Sequence, residues 1–295
     1  MFEKISIPPS FSLVQRGKAF LLLHEKYKDL LLEEGIEDTE TFLQRYRQAS
    51  KYLMGRTLHP SIPIKDGERL VTRRYSHGGL LRAVTRDLYF FGSRSFQELA
   101  LTEEILSCGI STIQPIGAIH RLIVFPFYKA YLLSLEVPQA KDLIQYFKGS
   151  SLQPSPEELL LKRRAISSAG RLLREFHKAG FLHGDLQLKN ILVAGDCTLL
   201  IDFDRSCRKK VLLSKERIRN LLRLNRSVEK WKRCGLRITW ADRLRFFRAY
   251  ADDDAEIWEA IQRAFRTYPL RFFLYRLGWL VDRIFGKNKD LSALG

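Results

Sequence analysis

Two short apolar runs separated by a tight turn constrain the fold of this chain more than any other feature. Residues 191–193 and 199–201 flank the turn Ala194-Gly195-Asp196, a pattern that predicts a β-hairpin. Asn190 comes directly before the first run, and Asp202 comes directly after the second. Because a hairpin brings its open ends together, an amide and a carboxylate are predicted to lie side by side at one edge.

A polar motif precedes this hairpin. His183, Asp185 and Asn190 follow the spacing H-x-D-x-x-x-x-N. The pattern suits phosphoryl transfer, in which the protein mainly positions groups and neutralises charge. Asp185 is then the candidate to accept the proton of an attacking hydroxyl. Asn190 and Asp202 offer the hard oxygen ligands that Mg²⁺ prefers.

The triplet His-Gly-Asp alone is a weak signal, because Asp185 also suits the cap of a helix. Its combination with an amide and a second carboxylate at a hairpin favours the catalytic interpretation. His183 is interpreted as a scaffold residue that hydrogen-bonds the loop. Asp204 is expected to hold Arg205 or a loop amide rather than a metal ion.

The rest of the chain divides into strand-rich and helix-rich stretches. Turn residues at 65–68 predict a hairpin whose second strand is 69–75, and Pro126 interrupts strand-like residues 110–137. Residues 149–157 are rich in Ser and Pro and predict a linker or mobile loop. Apolar spacing predicts helices over 17–48, 93–107 and 157–178, and in the charged stretch from Arg205 onward.

The chain carries an excess of positive charge, which favours a negatively charged binding partner. The 295 residues carry 50 Lys+Arg against 33 Asp+Glu, a formal net charge of +17. Between residues 205 and 248, sixteen Lys and Arg stand against Glu216, Glu229 and Asp242. This basic region predicts either a solvated set of helix faces or a docking face for phosphate groups. The hydrophobic content of 45% excludes a disordered chain.

Several classes of protein are disfavoured. The four cysteines occur singly, which argues against a zinc site and a disulfide framework and fits a reducing cytosol. Residues 1–10 lack the apolar core and small-residue cleavage site of a secretory signal. No run of about 18 uncharged apolar residues predicts a membrane span.

Four segments resemble the kinase-like fold that protein kinases share with small-molecule kinases: residues 73–80, 94–98, 183–190 and 200–205. Over about residues 55–231 the chain is most similar to the lipopolysaccharide core sugar kinases, namely the 3-deoxy-D-manno-octulosonic acid (Kdo) kinases, with the heptose kinases as near relatives. The resemblance implies an α+β, two-lobed, protein-kinase-like fold with a small β-rich N-lobe and a larger, mostly helical C-lobe. The predicted parts are an N-terminal helical extension (1–50), a nucleotide-binding N-lobe (51–137), a C-lobe with the catalytic loop (138–250) and a helical tail (251–295).

The same resemblance implies ATP and Mg²⁺ as cofactors and assigns roles residue by residue. Asp185 corresponds to the catalytic base, and Asn190 and Asp202 correspond to the metal ligands. Glu98 stands at the place of the helix glutamate that orients the phosphate-binding cation.

The nucleotide-binding assignments are less specific. Arg73 stands where most kinases have a strand lysine, and Arg74, on the opposite face of the strand, is the alternative. The loop expected to cover the phosphates, 53–57 with Gly55, is placed by its order in the chain alone. The loop His77-Gly78-Gly79 suits the family pattern and equally suits a plain turn.

Two departures from protein serine/threonine kinases bear on the acceptor. Gln187 replaces the lysine that such enzymes usually carry two residues after the catalytic aspartate, and no A-P-E segment follows Asp202. Both features favour a small-molecule or lipid-linked sugar, with Lys189 or Arg205 as a source of the missing charge. The expected acceptor is Kdo on lipid A. The alternatives are a heptose or aminoglycoside-type kinase and, from another class, an inactive basic membrane-binding pseudokinase module.

The implied partners follow from that acceptor. They are a lipopolysaccharide precursor (Kdo-lipid A) and an anionic membrane surface, and neither nucleic acid nor a protein partner is predicted. The resemblance implies a peripheral position at the cytoplasmic face of the bacterial inner membrane. Residues 270–285 are apolar, aromatic and basic, which predicts an amphipathic helix at that interface or a helix packed on the C-lobe.

Overall fold

The structure is a computed structural model, and it describes residues 6–53, 59–75, 88–90, 92–149 and 153–266. The chain forms two compact units: Met1–Pro138 with Phe203–Arg205, and Gln139–Asp202 with Ser206–Gly295. The predicted loops at Gly55 and at His77-Gly78-Gly79 lie outside the described residues, as does the stretch 270–285. The four-part division of the chain stays a prediction.

The first unit is built on one antiparallel sheet with the strand order β1-β2-β7-β8-β5-β4-β3, and β6 pairs with β8. Its strands are β1 (Phe11–Arg16), β2 (Ala19–His24), β3 (Lys51–Leu53), β4 (His59–Pro63), β5 (Arg69–Arg74), β6 (Tyr89–Phe90), β7 (Pro115–Val124) and β8 (Phe127–Leu135). Its helices are α1 (Glu25–Glu33), α2 (Thr39–Arg45) and α3 (Arg94–Ser107). The predicted hairpin at 65–68, the break at Pro126 and the helix over 93–107 are confirmed.

Strand β2 is covered on both faces of this sheet. Leu21 and Leu23 pack in a core cluster with side chains of α1 and α2, whereas Leu22 packs in a second cluster with side chains of α3. The helix predicted over 17–48 is therefore wrong for residues 17–24, and α1 begins only at Glu25. A strand buried on both faces is a continuous apolar run, which periodicity cannot distinguish from a buried helix.

Helix α3 positions an acidic side chain within this core. Phe96 and Leu99 bury its apolar face against the sheet, together with Ala118 of β7 and Leu132 of β8. Glu98 lies between them in the sequence and is 3% exposed. Because a buried carboxylate is costly unless it is paired, Glu98 requires partners, which are described below.

The second unit is mostly helical. Its helices are α4 (Leu143–Lys148), α5 (Pro156–Lys178), α6 (Ser214–Arg233), α7 (Trp240–Ala251) and α8 (Ala255–Arg266). A three-stranded sheet of order β12-β11-β9 and a strand pair β10-β13 complete it. These strands are β9 (Lys141–Asp142), β10 (Phe181–Leu182), β11 (Ile191–Ala194), β12 (Cys197–Leu200) and β13 (Cys207–Arg208). The hairpin predicted over 191–201 is confirmed, with Ile191 opposite Leu200.

Helix α5 begins with a capping box. The Ser155 hydroxyl accepts a hydrogen bond from the backbone of Glu158, whose carboxylate accepts one from the backbone of Ser155, and Pro156 occupies the first turn. The predicted helix over 157–178 is thereby confirmed.

Within the described part of the chain, no helix combines the length and hydropathy of a membrane span.

The crossing of α5 and α7 depends on a glycine. A Cβ added at Gly170 would lie 2.6 Å from the Phe246 carbonyl oxygen and 3.2 Å from the Tyr250 nitrogen. The two helix backbones can approach this closely only because position 170 carries no side chain.

We therefore expect Gly170→Ala to lower the free energy of unfolding by about 1–3 kcal/mol, because the new methyl group pushes α7 away. The matched control is Gly149→Ala, where an added Cβ meets its nearest atom at 3.5 Å. Urea unfolding followed by circular dichroism measures both variants. Equal stabilities for the two would contradict the close packing at Gly170.

Candidate active site

The loop that carries Asp185 is fixed by the imidazole of His183. The Asp185 backbone nitrogen donates to His183 Nδ1 at 3.1 Å, so the ring proton resides on Nε2, which donates to the Ile201 carbonyl at 3.0 Å. His183 is 1% exposed, and burial lowers its pKa, which keeps the ring neutral. The prediction that His183 is a scaffold residue is confirmed.

Asn190 connects this loop to the hairpin. Its Nδ2 donates to the Asp185 carbonyl at 2.8 Å, and its own carbonyl accepts from the Ile201 nitrogen at 3.0 Å. Asn190 Oδ1 accepts no hydrogen bond from any residue that the structure describes. Asp202 follows Ile201 directly and has φ 67°, a left-handed conformation that aspartate tolerates better than most residues. The hairpin therefore begins directly after an amide oxygen available to a ligand, and a carboxylate lies two residues beyond the end of β12.

The Asp185 carboxylate has two polar neighbours. Gln187 Nε2 donates to its Oδ2 at 2.6 Å, and Arg223 Nε lies 3.4 Å from its Oδ1. Arg223 Nη1 also donates to the Gly184 carbonyl. The Asp185 side chain is 41% exposed, which leaves it accessible to an acceptor.

Arg223 is the neighbour that the sequence does not identify. It is one of sixteen Lys and Arg between residues 205 and 248. The excess of charge does not distinguish among these residues, and the packing of α6 shows that Arg223 reaches Asp185.

A buried chain of hydrogen bonds supports the loop from behind. Arg217 Nε can only donate, so it donates to the Tyr250 hydroxyl at 2.8 Å, and that hydroxyl donates to His177 Nδ1 at 2.7 Å. His177 Nε2 then donates to Asn220 Oδ1 at 3.1 Å, and Asn220 Nδ2 donates to the His183 carbonyl at 2.8 Å. Burial lowers the pKa of His177 to about 3. In this series of hydrogen bonds, every group after Arg217 is neutral.

In the first unit, the Glu98 carboxylate is fully paired. Its Oε1 accepts from the Phe203 nitrogen at 3.1 Å, and its Oε2 accepts from Arg73 Nη2 and from the Tyr75 hydroxyl. Burial raises the pKa of Tyr75 well above its ordinary range, so the hydroxyl keeps its proton and donates. The Arg73 guanidinium lies 4.8 Å from the centre of the Tyr75 ring.

Arg73 and Arg74, the two alternatives for the position of the strand lysine, have different partners. Arg73 contacts the buried Glu98, whereas Arg74 Nη2 lies 3.6 Å from Oε1 of the partly exposed Glu40 on α2. The alternation of side chains along β5 separates them. Only Arg73 is therefore held by the helix glutamate.

Asp204 differs from its predicted pairing. It was expected to hold Arg205 or a loop amide, but its carboxylate accepts from Arg94 Nε at 3.1 Å and also from Arg94 Nη2. Arg94 is the first residue of α3 and lies 110 positions earlier in the chain, so local sequence gave no indication of the pair.

Of the predicted site residues, Asp185, Asn190 and Asp202 belong to the second unit, and Arg73 and Glu98 belong to the first. Gly55 lies outside the described residues. Among the described residues, His, Cys, Asp and Glu form no group of three that could hold a metal ion.

The low pKa of His177 predicts acid sensitivity. The unfolded chain takes up the imidazole proton near pH 6.5, whereas the folded chain resists it down to about pH 3, so stability falls as the pH drops between these values. From pH 7.5 to pH 5 we expect wild type to lose about 2 kcal/mol more than His177→Gln.

Glutamine retains one donor and one acceptor but does not titrate. Urea unfolding at both pH values measures the difference, and the other histidines, present in both proteins, cancel. Identical pH dependence in the two proteins would show that His177 is not held neutral.

Comparisons with known proteins identify the family of the chain. The model of the lipopolysaccharide kinase (Kdo/WaaP) family matches residues 53–250. The 3-deoxy-D-manno-octulosonic acid kinase of Vibrio cholerae is 37% identical over 177 residues, covering 57% of this chain and 68% of that protein. The protein of the same name from Mannheimia succiniciproducens is 33% identical over 190 residues, covering 60% and 75%.

A solved structure shows the same fold. The structure described as "WaaP in complex with acyl carrier protein" aligns with a TM-score of 0.52 at 19% identity, covering 84% of this chain and 99% of that chain. The predicted α+β, protein-kinase-like fold is thereby confirmed. The predicted class of enzyme, a phosphotransferase that acts on a sugar hydroxyl, is confirmed as well. The chain belongs to the lipopolysaccharide kinase (Kdo/WaaP) family.

Proposed function

We propose that the chain transfers the γ-phosphoryl group of ATP to a hydroxyl of Kdo attached to lipid A. The relatives named as Kdo kinases, at 31% and 37% identity, support this acceptor. The observation that carries the proposal is the state of Asp185. Its carboxylate is 41% exposed, on a loop whose backbone donates to His183 and accepts hydrogen bonds from Asn190 and Asn220.

The chemistry follows from that carboxylate. The acceptor hydroxyl gives its proton to Asp185 while its oxygen forms a bond to the γ-phosphorus. The bond from that phosphorus to the bridging oxygen breaks, and its electron pair leaves with ADP. The hydrogen bond from Gln187 to Asp185 Oδ2 restricts the carboxylate, so Oδ1 is the oxygen that faces Arg223 and the incoming group.

Mg²⁺ suits the donor set at the end of the hairpin. Asn190 Oδ1 accepts no hydrogen bond within the described residues, and the Asp202 carboxylate supplies a second hard oxygen. When bound, the ion supplies positive charge to the nucleotide phosphates. Asn190 also holds the Asp185 carbonyl through Nδ2, so one side chain connects the ligand oxygen to the loop that carries the base.

Arg73 is proposed to bind the nucleotide phosphates, and Glu98 is proposed to orient it. The Glu98 carboxylate also accepts from Tyr75 and from the backbone of Phe203, so its position is fixed by three donors. A guanidinium offers a planar fork of N–H groups, which suits phosphate oxygens.

The basic region is proposed to contact the anionic cytoplasmic face of the inner membrane, where the acceptor lipid lies. Each Lys or Arg near such a surface contributes about 1 kcal/mol of attraction within a Debye length. Exposed residues of this region include Lys215, Arg219, Lys232 and Arg233 on α6. Binding by these side chains would make the enzyme a peripheral membrane protein.

We expect Asp185→Asn to lower kcat on Kdo-lipid A by about 10²-fold or more, because the amide cannot accept the hydroxyl proton. The matched control is Asp196→Asn in the exposed hairpin turn, which we expect to act like wild type. Mass spectrometry of the lipid product and ADP release measure both variants.

Two results would contradict the proposal. Undiminished turnover by Asp185→Asn would exclude Asp185 as the base. Phosphate on a heptose, with none on Kdo when both acceptors are supplied, would exclude the proposed acceptor in favour of the heptose kinase alternative.

The nucleotide assignment is tested by two adjacent substitutions on β5. We expect Arg73→Met to raise KM for ATP by about tenfold or more, because a charged donor to phosphate is lost, and Arg74→Met to leave it unchanged. Loss of Arg73 leaves Glu98 with one partner fewer, so thermal unfolding is used to check that the variant is folded. The KM for ATP is also measured for Arg73→Lys, which retains the positive charge. A larger effect at Arg74 than at Arg73 would reverse the assignment.

A further inference from the structure

Among the described residues, no Lys or Arg of the loop 183–190 pairs with the Asp185 carboxylate. The loop side chain that touches the carboxylate is Gln187, which is neutral. Burial raises the pKa of Asp142, and Lys189 is among the cations that oppose this shift, so the charge of Lys189 acts on Asp142.

Helix α6 supplies a cation at this place. Arg223 Nε lies 3.4 Å from Asp185 Oδ1, and Nη1 donates to the Gly184 carbonyl. Nη2 has no acceptor among the described residues, and the side chain is 42% exposed. The guanidinium therefore contacts the loop through Nε and Nη1, and Nη2 remains able to donate to a ligand.

Two neighbours of Arg223 on the same face of α6 attach this helix to the loop. Asn220, one turn before, donates to the His183 carbonyl at 2.8 Å, and Ser227, one turn after, accepts from the Leu188 nitrogen at 3.3 Å. The loop is thus fastened to α6 at both ends of the segment that carries Asp185. Arg223 lies between these two attachments, so its Cα has a fixed position relative to the loop that carries the carboxylate.

We infer that Arg223 binds the phosphoryl group in transit and is a catalytic residue of this kinase, an inference that rests on the proposed function. During transfer, negative charge spreads over the equatorial oxygens of the γ-phosphoryl group. At the same time Asp185 takes up the hydroxyl proton and loses its charge. The Arg223 guanidinium then exchanges a carboxylate partner for phosphoryl oxygens, so its attraction is greatest in the transition state.

Substitution of Arg223 by Gln tests the inference. We expect Arg223→Gln to lower kcat by about 10²–10³-fold, with KM for ATP nearly unchanged, and Arg223→Lys to recover part of the loss. The matched control is Arg171→Gln, an exposed arginine on α5 outside the basic region, which we expect to act like wild type. Circular dichroism shows whether each variant is folded. If Arg223→Gln is not folded, the kcat of Arg223→Lys is compared with that of Arg171→Gln instead.

A double substitution separates a catalytic role from a positioning role. If Arg223 contacts the phosphoryl group, Arg223→Gln lowers kcat by a further large factor in an Asp185→Asn background. If it acts only by orienting Asp185, the double variant equals Asp185→Asn alone, and the inference is overturned. Arg223→Gln with the kcat of Arg171→Gln overturns it as well.

The inference and the proposed acceptor fail in different ways. A wild-type protein that phosphorylates no Kdo-lipid A refutes the acceptor. The same substitutions are then scored on the release of inorganic phosphate from ATP, with water as the acceptor. A loss in Arg223→Gln that is absent from Arg171→Gln in that assay supports the inference whatever the sugar, and equal rates for these two variants overturn it.

Discussion

The neutral imidazole of His183 is the interaction on which the proposed active site depends. One ring nitrogen accepts from the backbone of Asp185, and the other donates to the backbone of Ile201, beside Asp202. A protonated ring would lose the first bond, because it has no acceptor nitrogen to offer. Burial disfavours the protonated ring and so preserves both bonds. These bonds hold the backbone at Asp185 in a fixed position relative to the backbone next to Asp202. The Asn220 amide adds a third point of attachment through the His183 carbonyl.

The two units solve the problem of a buried polar site in different ways. In the second unit, hydrogen bonds between neutral groups hold the loop, and charge enters only at the exposed carboxylate and at the arginines. In the first unit, a carboxylate that is almost wholly buried is balanced by Arg73, Tyr75 and a backbone amide. A buried charge that loses one partner is costly, so these donors and Glu98 are coupled to one another. A neutral scaffold tolerates the loss of one member more readily.

Local chemistry made much of the site predictable. The hairpin follows from its apolar runs and turn, and the motif from His183 to Asn190 specifies both the scaffold histidine and the loop. What the sequence could not provide was contact between distant segments. The pairing of Asp204 with Arg94 and the approach of Arg223 to Asp185 depend on how helices pack. Strand β2 was misread for a related reason, since burial on both faces removes the alternation that identifies a strand.

Helix α6 has two faces with separate duties. One face carries Asn220, Arg223 and Ser227, whereas the exposed Lys215, Lys232 and Arg233 lie elsewhere on its surface. A substitution at Lys215, Lys232 or Arg233 therefore leaves the attachment of the loop intact. A substitution at Asn220 or Ser227 is transmitted to Asp185, because these two side chains bond the backbone of the loop that carries it.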